Sequence, residues 1–195
     1  HRAVALEVDL HRGMYEQAIR KAKQILRRDE KNVDAMLAMA EANIQQERYE
    51  LAAAILDRAI ELEPGRSELY FKYAVIRANE DNTQAAIRYY KEAIKRRPAY
   101  PEARTNLGVL YYEARDYEAA VRQFDAAIQW APDFKQAYLN KGNALKGLGK
   151  FPEAAAAFQK ALEIDSNYGD AIYTFGVLYL DSDFKEMDKI PELQK

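Results

Sequence analysis

The sequence predicts an all-α solenoid, in which antiparallel helix pairs stack on one another. Segment 101–134 has the pattern of two short helices, and this pattern recurs 34 residues upstream and 34 residues downstream. Each helix has a single apolar stripe, which one pair cannot bury by itself. One column of the repeat is always alanine: Ala18, Ala52, Ala86, Ala120 and Ala154. Chance is a poor explanation for five alanines at one phase, so stacked copies of one unit are expected to form the fold.

The central unit, 101–134, shows how each pair is specified. Pro101 suits the first position of a helix, where a missing N–H costs nothing, and Pro132 ends the second helix. The first helix has apolar residues at helical spacing: Leu107, Leu110 and Tyr111. After a turn at Arg115-Asp116, the second helix has one apolar face: Tyr117, Ala120, Val121, Phe124, Ala127 and Ile128. Gly108 and Ala120 are predicted points of close helix approach, and a larger residue at Ala120 should cost about 1–3 kcal/mol.

The other units follow in order along the chain. Residues 1–32 contain a partial unit with a turn at Gly13, and the full units are 33–66, 67–100, 101–134 and 135–168. The unit at 67–100 has its turn at residues 81–83. Residues 169–195 begin a sixth unit, but the alanine column fails there, and Pro191 falls where the second helix should be running. Pro191 is predicted to start a displaced helix that continues beyond Lys195, so the chain is expected to be part of a longer protein.

One motif resembles a known family. The pattern L-G-x-x-Y, then A-x-x-x-F, then A and P is similar to the tetratricopeptide repeat (TPR), and it is formed here by Leu107, Gly108, Tyr111, Ala120, Phe124, Ala127 and Pro132. The resemblance implies a right-handed superhelical solenoid of about five and a half repeats, a single domain over 1–195. It also implies that the first helix of each pair lines a concave surface. Both ends lack a polar cap, which predicts end-to-end self-association.

Composition restricts the partners. The chain has 195 residues, 49% of them hydrophobic, and its net charge of −2 gives no electrostatic reason to expect a nucleic acid partner. The absence of cysteine excludes disulfides and thiolate zinc sites. No apolar run has the ~18–20 residues needed to span a bilayer, so direct membrane insertion is not expected. The compartment stays open between the cytoplasm and, if a signal precedes His1, the periplasm or envelope.

No catalytic, metal or cofactor site is expected. The two histidines, His1 and His11, do not lie near a nucleophile signature. Segment 146–150 (KGLGK) lacks the spacing and the Ser/Thr of a phosphate-binding loop, which favours an interhelical turn. The acidic residues Asp181, Asp183, Glu186 and Asp188 lack the glycine and ligand spacing of a calcium loop, which favours a solvated turn.

A candidate binding surface appears when the repeats are aligned. Residues at the same position of successive first helices form a column, and several of these columns are not needed for packing within a repeat. One column contains hydrogen-bond donors: Lys72, Asn106, Asn140 and Thr174. In some TPR proteins an asparagine ladder in this column holds the backbone of an extended peptide. The neighbouring columns are mostly apolar: Leu37, Phe71, Thr105, Leu139 and Tyr173; Glu41, Val75, Val109, Asn143 and Val177; and Ile44, Tyr112 and Leu180. An acidic edge flanks them: Asp34, Glu68, Glu102 and Asp170. Apolar pockets with sparse polar groups favour capture of a peptide or a helix.

Other interpretations of these surfaces remain open. The same side chains could fill the tight inner side of the superhelix, or hold a segment of the same protein. The carboxylate clamp of chaperone-binding TPR domains is absent, because Phe71, Val75, Asp170 and Thr174 stand where its polar residues would be needed. Basic clusters fall on second helices and are interpreted as solvated faces, with an anionic partner or a membrane surface as the alternative: Arg20, Lys21, Lys23, Arg27, Arg28, Lys91, Lys95, Arg96 and Arg97.

The leading functional hypothesis is a non-enzymatic scaffold or adaptor that binds a peptide or partner helix in its concave groove, within a multiprotein assembly. A second hypothesis is a regulatory or substrate-recruiting arm of an enzyme whose catalytic domain lies outside the chain. A third is a self-assembling structural protein. The repeat pattern alone does not discriminate between them, because a fold does not determine a function.

Overall fold

The computed structural model describes residues 2–180, and all its regular elements are helices. The helices are α1 (Arg2–His11), α2 (Tyr15–Leu26), α3 (Val33–Ile44), α4 (Tyr49–Leu62), α5 (Ser67–Asn79), α6 (Thr83–Arg96), α7 (Pro101–Glu113), α8 (Tyr117–Trp130), α9 (Lys135–Gly147), α10 (Phe151–Ile164) and α11 (Gly169–Leu180). Each predicted repeat up to residue 168 contributes one pair, and α11 is the first helix of the sixth unit. The predicted architecture of helix pairs is therefore confirmed.

The chain divides into two compact units, His1–Pro98 and Ala99–Lys195. In the first unit, α3 packs against α2 and α4, and α5 packs most extensively against α6. In the second unit, α8 packs against α7 and α9, while α10 packs against α9 and α11. Within each unit, every helix therefore packs against the next helix along the chain, as expected for a quasi-one-dimensional stack.

The small-residue columns lie where helices approach most closely. The five alanines of the predicted column are all fully buried. A Cβ built on Gly108 would lie 2.6 Å from the ring of Phe124, and one built on Gly142 would lie 2.4 Å from the ring of Phe158. Both rings are fully buried. The prediction that Gly108 marks a close approach is confirmed, and Gly142 repeats the contact one unit later.

The turn inside each pair has the same backbone geometry. One residue per turn has a positive φ, between 57° and 72°, at a constant 34-residue spacing: Gly13, Glu47, Asp81, Arg115 and Gly149. In the central pair, Arg115 N–H donates to Tyr112 O and Asp116 N–H donates to Tyr111 O, both at 2.9 Å. These are the two bonds of a Schellman motif, and the other four turns contain the same pair. The turns predicted inside the helix pairs, at Gly13, 81–83, Arg115-Asp116 and 146–150, are all confirmed.

Several helices begin with side chains that suit the free backbone N–H groups at a helix N-terminus. Asn32, Asn82 and Asp116 each accept a hydrogen bond from the N–H three residues on, at 2.9–3.2 Å. Pro101 is the first residue of α7. The acidic edge predicted from sequence occupies the first turns of α3, α5, α7 and α11, where negative charge is favoured by the helix dipole.

The first unit departs from the repeat pattern in one buried column. Asp9 and Asn43 stand at the phase of Tyr111, and both are at most 3% exposed. Asp9 forms an ion pair with Lys21 at 2.6 Å, and the Asn43 side chain donates to Met39 O at 2.7 Å. Such partners offset part of the cost of burying polar groups, although Asn43 Oδ1 has no hydrogen-bond partner among the described residues.

Among residues 2–180, no helix is both long enough and apolar enough to cross a bilayer. The predicted acidic turn at 181–188 and the displaced helix at Pro191 lie outside the described residues.

Candidate interaction surface

In the first unit, the first helices α1, α3 and α5 border a cavity of about 630 Å³. Its apolar lining comes from Leu6, Leu10, Leu37 and Ala38, with Tyr15 at one side. The rest of the lining, called the polar rim below, consists of polar and charged residues: Glu7, His11, Asp34, Glu41, Gln45, Arg66 and Lys72. Three of the residues predicted for the groove, Leu37, Glu41 and Lys72, therefore lie at one site. A cavity of this size with a mixed apolar and polar lining suits the side chains of a bound peptide or helix better than a flat binding surface would.

The polar rim is largely paired within the protein. Lys72 forms an ion pair with Glu41, and its ammonium group lies 5.6 Å from the centre of the Phe71 ring. Gln45 also donates to Glu41, at 3.0 Å. Because Glu41 and Lys72 are only 20% and 26% exposed, breaking this pair would leave a poorly solvated charge. Lys72, predicted as a member of the donor ladder, is thus already bound to a neighbouring first helix.

A second ion-pair group stands at the edge of the same cavity. Arg66 lies 2.6 Å from Asp34, 3.4 Å from Glu63 and 3.8 Å from Glu68. Burial of the guanidinium would lower the pKa of Arg66, but the hydrogen bonds and charges of Asp34 and Glu63 outweigh it and raise the pKa. Asp34 and Glu68, predicted as an acidic edge, therefore hold Arg66 in place.

The other predicted groove residues of the first unit lie on α5. Phe71 is half-buried, and its ring meets that of Tyr90 edge-on at 5.7 Å. Val75 is also half-buried, and its carbonyl accepts a hydrogen bond from the Asn79 side chain at 2.9 Å. Ile44, from the outermost apolar column, is buried.

In the second unit, the first helices are α7, α9 and α11. The predicted ladder residues Asn106 and Asn140 are half-buried on α7 and α9, and so are Val109 and Asn143. Tyr112, Val177 and Tyr173 are 38%, 37% and 74% exposed. This wall therefore combines accessible aromatic and aliphatic side chains with three amides, the composition expected of a peptide-binding surface.

Three predicted residues of this wall do not offer the expected groups. Thr105 is 4% exposed, and its hydroxyl has no hydrogen-bond partner among the described residues. Leu139 is 8% exposed and belongs to the apolar core around α10. Thr174, at the end of the donor ladder, donates its hydroxyl to the carbonyl of Asp170 at 2.7 Å. Thr105 and Leu139 are thus placed in the packing, and Thr174 is bonded within its own helix.

The remaining charged clusters resemble ordinary solvated faces. Arg20, Lys23 and Lys95 are exposed on α2 and α6, while Lys21 pairs with Asp9 and Arg97 lies 3.7 Å from Glu68. In the part of the chain that the structure describes, no three His, Cys, Asp or Glu residues are grouped as metal ligands would be.

Sequence columns could have included more of the first-unit cavity. Glu7 has the phase of Glu41, and Leu10 has the phase of Ile44, so extending the columns into the partial first repeat identifies both. The sequence signal for Leu6 was weaker, because the other residues of its column are small. Arg66 lies between helices and outside every first-helix column, so only the folded structure shows its position at the edge.

Comparison with known proteins decides the family. A tetratricopeptide repeat model matches residues 9–74 and 78–144, and a second model of the same description matches residues 136–168. The chain belongs to the tetratricopeptide repeat family. The family assigned from the central motif is therefore confirmed over most of the chain.

Several solved TPR structures are similar to this chain. The crystal structure of MamA is 27% identical, with a TM-score of 0.70, and the match covers 83% of this chain and 94% of MamA. YrrB, described as a TPR protein with an unusual peptide-binding site, is 17% identical, with a TM-score of 0.66 and 89% of both chains covered. The APC/C hetero-tetramer Cut9–Hcn1 reaches a TM-score of 0.79 at 17% identity, over 92% of this chain and 36% of that one. No curated protein sequence matches the chain.

Proposed function

We propose that this TPR chain is a protein-interaction scaffold, which binds an extended peptide or a partner helix on the surfaces of its first helices. The observation that carries this proposal is the first-unit cavity, with its apolar lining at Leu37 and the Glu41–Lys72 pair beside it. Burial of one aliphatic side chain against such a lining supplies affinity, at about 25 cal/mol per Å² of apolar surface. The charged rim supplies orientation, because a ligand that is misplaced would bury unpaired polar groups.

The second-unit wall supports the same function through different chemistry. Asn106 and Asn140 have the spacing of one repeat, and each amide can donate to and accept from a peptide backbone. Tyr112 and Tyr173 offer aromatic surface beside them. YrrB shares the fold and is described as having a peptide-binding site. Peptide binding by the present chain is proposed on its own residues.

The test compares two matched double variants with the wild-type chain as immobilised bait in an extract of the native host. The first is Asn106→Ala/Asn140→Ala, on the first helices α7 and α9. The control is Gln129→Ala/Gln159→Ala, which removes two amides from the second helices α8 and α10 of the same repeats. We expect a partner, identified by mass spectrometry, that is lost with the first variant and kept with the control, at unchanged helicity by circular dichroism.

A third variant tests the first unit separately. Leu37→Asp places a carboxylate against the apolar lining and should weaken a partner that uses this cavity by about tenfold or more, because an unpaired charge would be desolvated on binding. Binding on the first-helix surfaces would be refuted if both the asparagine double variant and Leu37→Asp retained the partner as well as the control does. The absence of enzymatic activity stays a prediction, as does membership of a larger assembly.

A further inference from the structure

Charge is distributed unevenly between the first helices and the rest of the chain. Five columns form the candidate binding surface: the donor column, its three mostly apolar neighbours and the acidic edge. Followed through every described repeat, they contain two basic residues, Lys72 and Lys146, and six acidic ones: Glu7, Asp34, Glu41, Glu68, Glu102 and Asp170. The whole chain has 31 acidic and 29 basic residues, so 25 acidic and 27 basic residues remain elsewhere. The negative excess of the chain therefore lies in the columns of the candidate binding surface.

In the first unit, the arginine and the lysine that line the cavity are already neutralised. Lys72 is paired with Glu41, and three carboxylates surround Arg66. Glu7 lines the same cavity from α1, where it is exposed and forms no ion pair with another described residue. The cavity therefore combines an apolar lining at Leu37 with a carboxylate at the polar rim that is available to a cation from another molecule.

In the second unit, the acidic edge lacks the arginine that neutralises it in the first. Glu102 is exposed in the first turn of α7 and forms no ion pair with another described residue. The residues one and two repeats after Arg66 are Tyr100 and Phe134, so both counterparts of the guanidinium are aromatic. Lys146, in the outermost apolar column, is in the last turn of α9, whereas the acidic edge occupies first turns. This unit thus also presents a carboxylate without a partner cation.

Charge selects among the candidate occupants of these surfaces. Residues 181–195 of the chain contain five acidic and three basic residues, so their net charge has the same sign as that of the columns. Like charges that meet on binding cost free energy, whereas opposite charges speed the encounter and fix the register. The complementary occupant is a segment with an excess of lysine or arginine.

We propose that the first helices bind an extended segment of a partner protein that contains both basic and aliphatic residues. An aliphatic side chain enters the apolar lining at Leu37, and a neighbouring lysine or arginine pairs with Glu7. On the second unit, another cation pairs with Glu102 while Asn106 and Asn140 hold the backbone. The long stems of lysine and arginine allow the charged groups to reach the carboxylates while the backbone stays on the amides. This inference rests on the proposed function and specifies the chemistry of its ligand.

Three labelled peptides of one length test the charge of the ligand: GKVKLKVKG, GQVQLQVQG and GEVELEVEG. Each is acetylated and amidated, so that the ends carry no charge. Each is titrated with the full 195-residue chain at about pH 8, where histidine is neutral, and followed by fluorescence anisotropy. We expect the lysine peptide to bind saturably and about tenfold more tightly than the glutamine peptide, because two exposed ion pairs each contribute several-fold. The glutamate peptide should not bind saturably, and the advantage of lysine should shrink between roughly 50 and 500 mM salt.

Two matched double variants of the chain locate the cations. Glu7→Gln/Glu102→Gln removes one carboxylate from each unit and keeps the size and helix propensity of the side chain. The control, Glu50→Gln/Glu118→Gln, removes the same charge from exposed positions in the first turns of the second helices α4 and α8. The first variant should bind the lysine peptide about tenfold more weakly, and the control should bind it as the wild type does.

The asparagine double variant separates this inference from the proposed function. It removes contacts to the peptide backbone, so it should weaken the lysine and glutamine peptides by the same factor. If this variant loses the host partner while the wild type binds the lysine and glutamine peptides equally, the charge inference fails and the scaffold function stands. If both the asparagine double variant and Leu37→Asp keep the host partner, the proposed function itself fails.

Four outcomes would overturn the inference. One is no saturable binding of the lysine peptide, and another is equal affinity for the lysine and glutamine peptides. A third is an equal loss of affinity in the two glutamine-substituted variants, which would indicate a general attraction to an acidic protein. The fourth is a dimer, seen by sedimentation of the wild type alone, that Glu7→Gln/Glu102→Gln dissociates, because a second copy would then be the occupant.

Discussion

The glycine column makes a sharp prediction about stability. Replacing Gly142 by alanine adds a Cβ at 2.4, 2.6 and 2.8 Å from three carbons of the Phe158 ring. That ring is 0% exposed, and its rigid aromatic atoms cannot turn away as the end of a flexible side chain could. The helices must separate or the ring must leave its rotamer, and overpacking of this kind costs about 1–3 kcal/mol.

A matched substitution isolates that cost. Gly176→Ala also replaces a glycine inside a first helix, but the built Cβ meets no described atom within 4 Å. Both substitutions gain helix propensity, about 0.8–1 kcal/mol each, so this contribution cancels in the comparison. We therefore expect Gly142→Ala to be less stable than Gly176→Ala by about 1–3 kcal/mol, and Gly176→Ala to be at least as stable as the wild type.

The assay is urea denaturation followed by circular dichroism at 222 nm, with the m-value compared among variants because repeat arrays can unfold in parts. Amide hydrogen exchange of α9 and α10 checks that the loss is local. Phe158→Leu provides the double-mutant cycle: a smaller side chain should relieve part of the cost of Gly142→Ala. Equal stability of Gly142→Ala and Gly176→Ala, or a cycle without coupling, would refute the reasoning.

Three further predictions concern caps, packing and pH. Asp116→Ala removes the cap that accepts from Ala119 N–H at 3.0 Å and should cost about 1 kcal/mol in urea denaturation; Asp116→Asn, which keeps an acceptor, should cost much less. Ala120→Leu adds three carbons at a fully buried position, and this overpacking should reduce the free energy of unfolding by about 1–3 kcal/mol and lower the thermal midpoint. A thermal midpoint equal to that of the wild type would contradict this prediction. The Lys135 ammonium group donates a hydrogen bond to the Asp165 carboxylate at 2.5 Å and lowers the pKa of Asp165 below its usual 3.8. The stabilisation of the folded state by this ionised carboxylate is therefore full above pH 3.8 and is lost as the pH falls through the lowered pKa. The thermal midpoint of Asp165→Asn should therefore lie below that of wild type at pH 7 and converge with it in acid; a constant difference would contradict this account.

Much of the fold could be predicted from the sequence because the repeat reports the same physical constraint several times. Ala120 is one of five alanines at one phase, and only a tight helix contact requires that. The Arg115-Asp116 turn was predictable because Asp116 is a good N-cap residue just before an apolar run. Pro101 and Pro132 fixed the outer ends of the central pair for equally local reasons.

The surface was less predictable, because a column gives the direction of a side chain but not its neighbours. Lys72 was interpreted as a free donor, yet Glu41 on the adjacent first helix pairs with it. Thr105 and Leu139 share a column with the exposed Tyr173, but both are buried. The difference arises from the next repeat: Tyr173 belongs to the last described helix, so no later described helix covers it. Burial in a solenoid thus depends on stacking, which a single repeat does not encode.

The five Schellman turns, finally, have a consequence at the level of the gene. Each is closed by backbone bonds at a fixed spacing, and the connecting residues number three or four in every described pair. A single inserted codon that lengthened a helix would rotate everything after it by about 100° and turn its alanine away from its neighbour. Thirty-four inserted codons would restore every phase and add one more pair. Such a gene should accept duplication or loss of whole units far more readily than the gain of one amino acid.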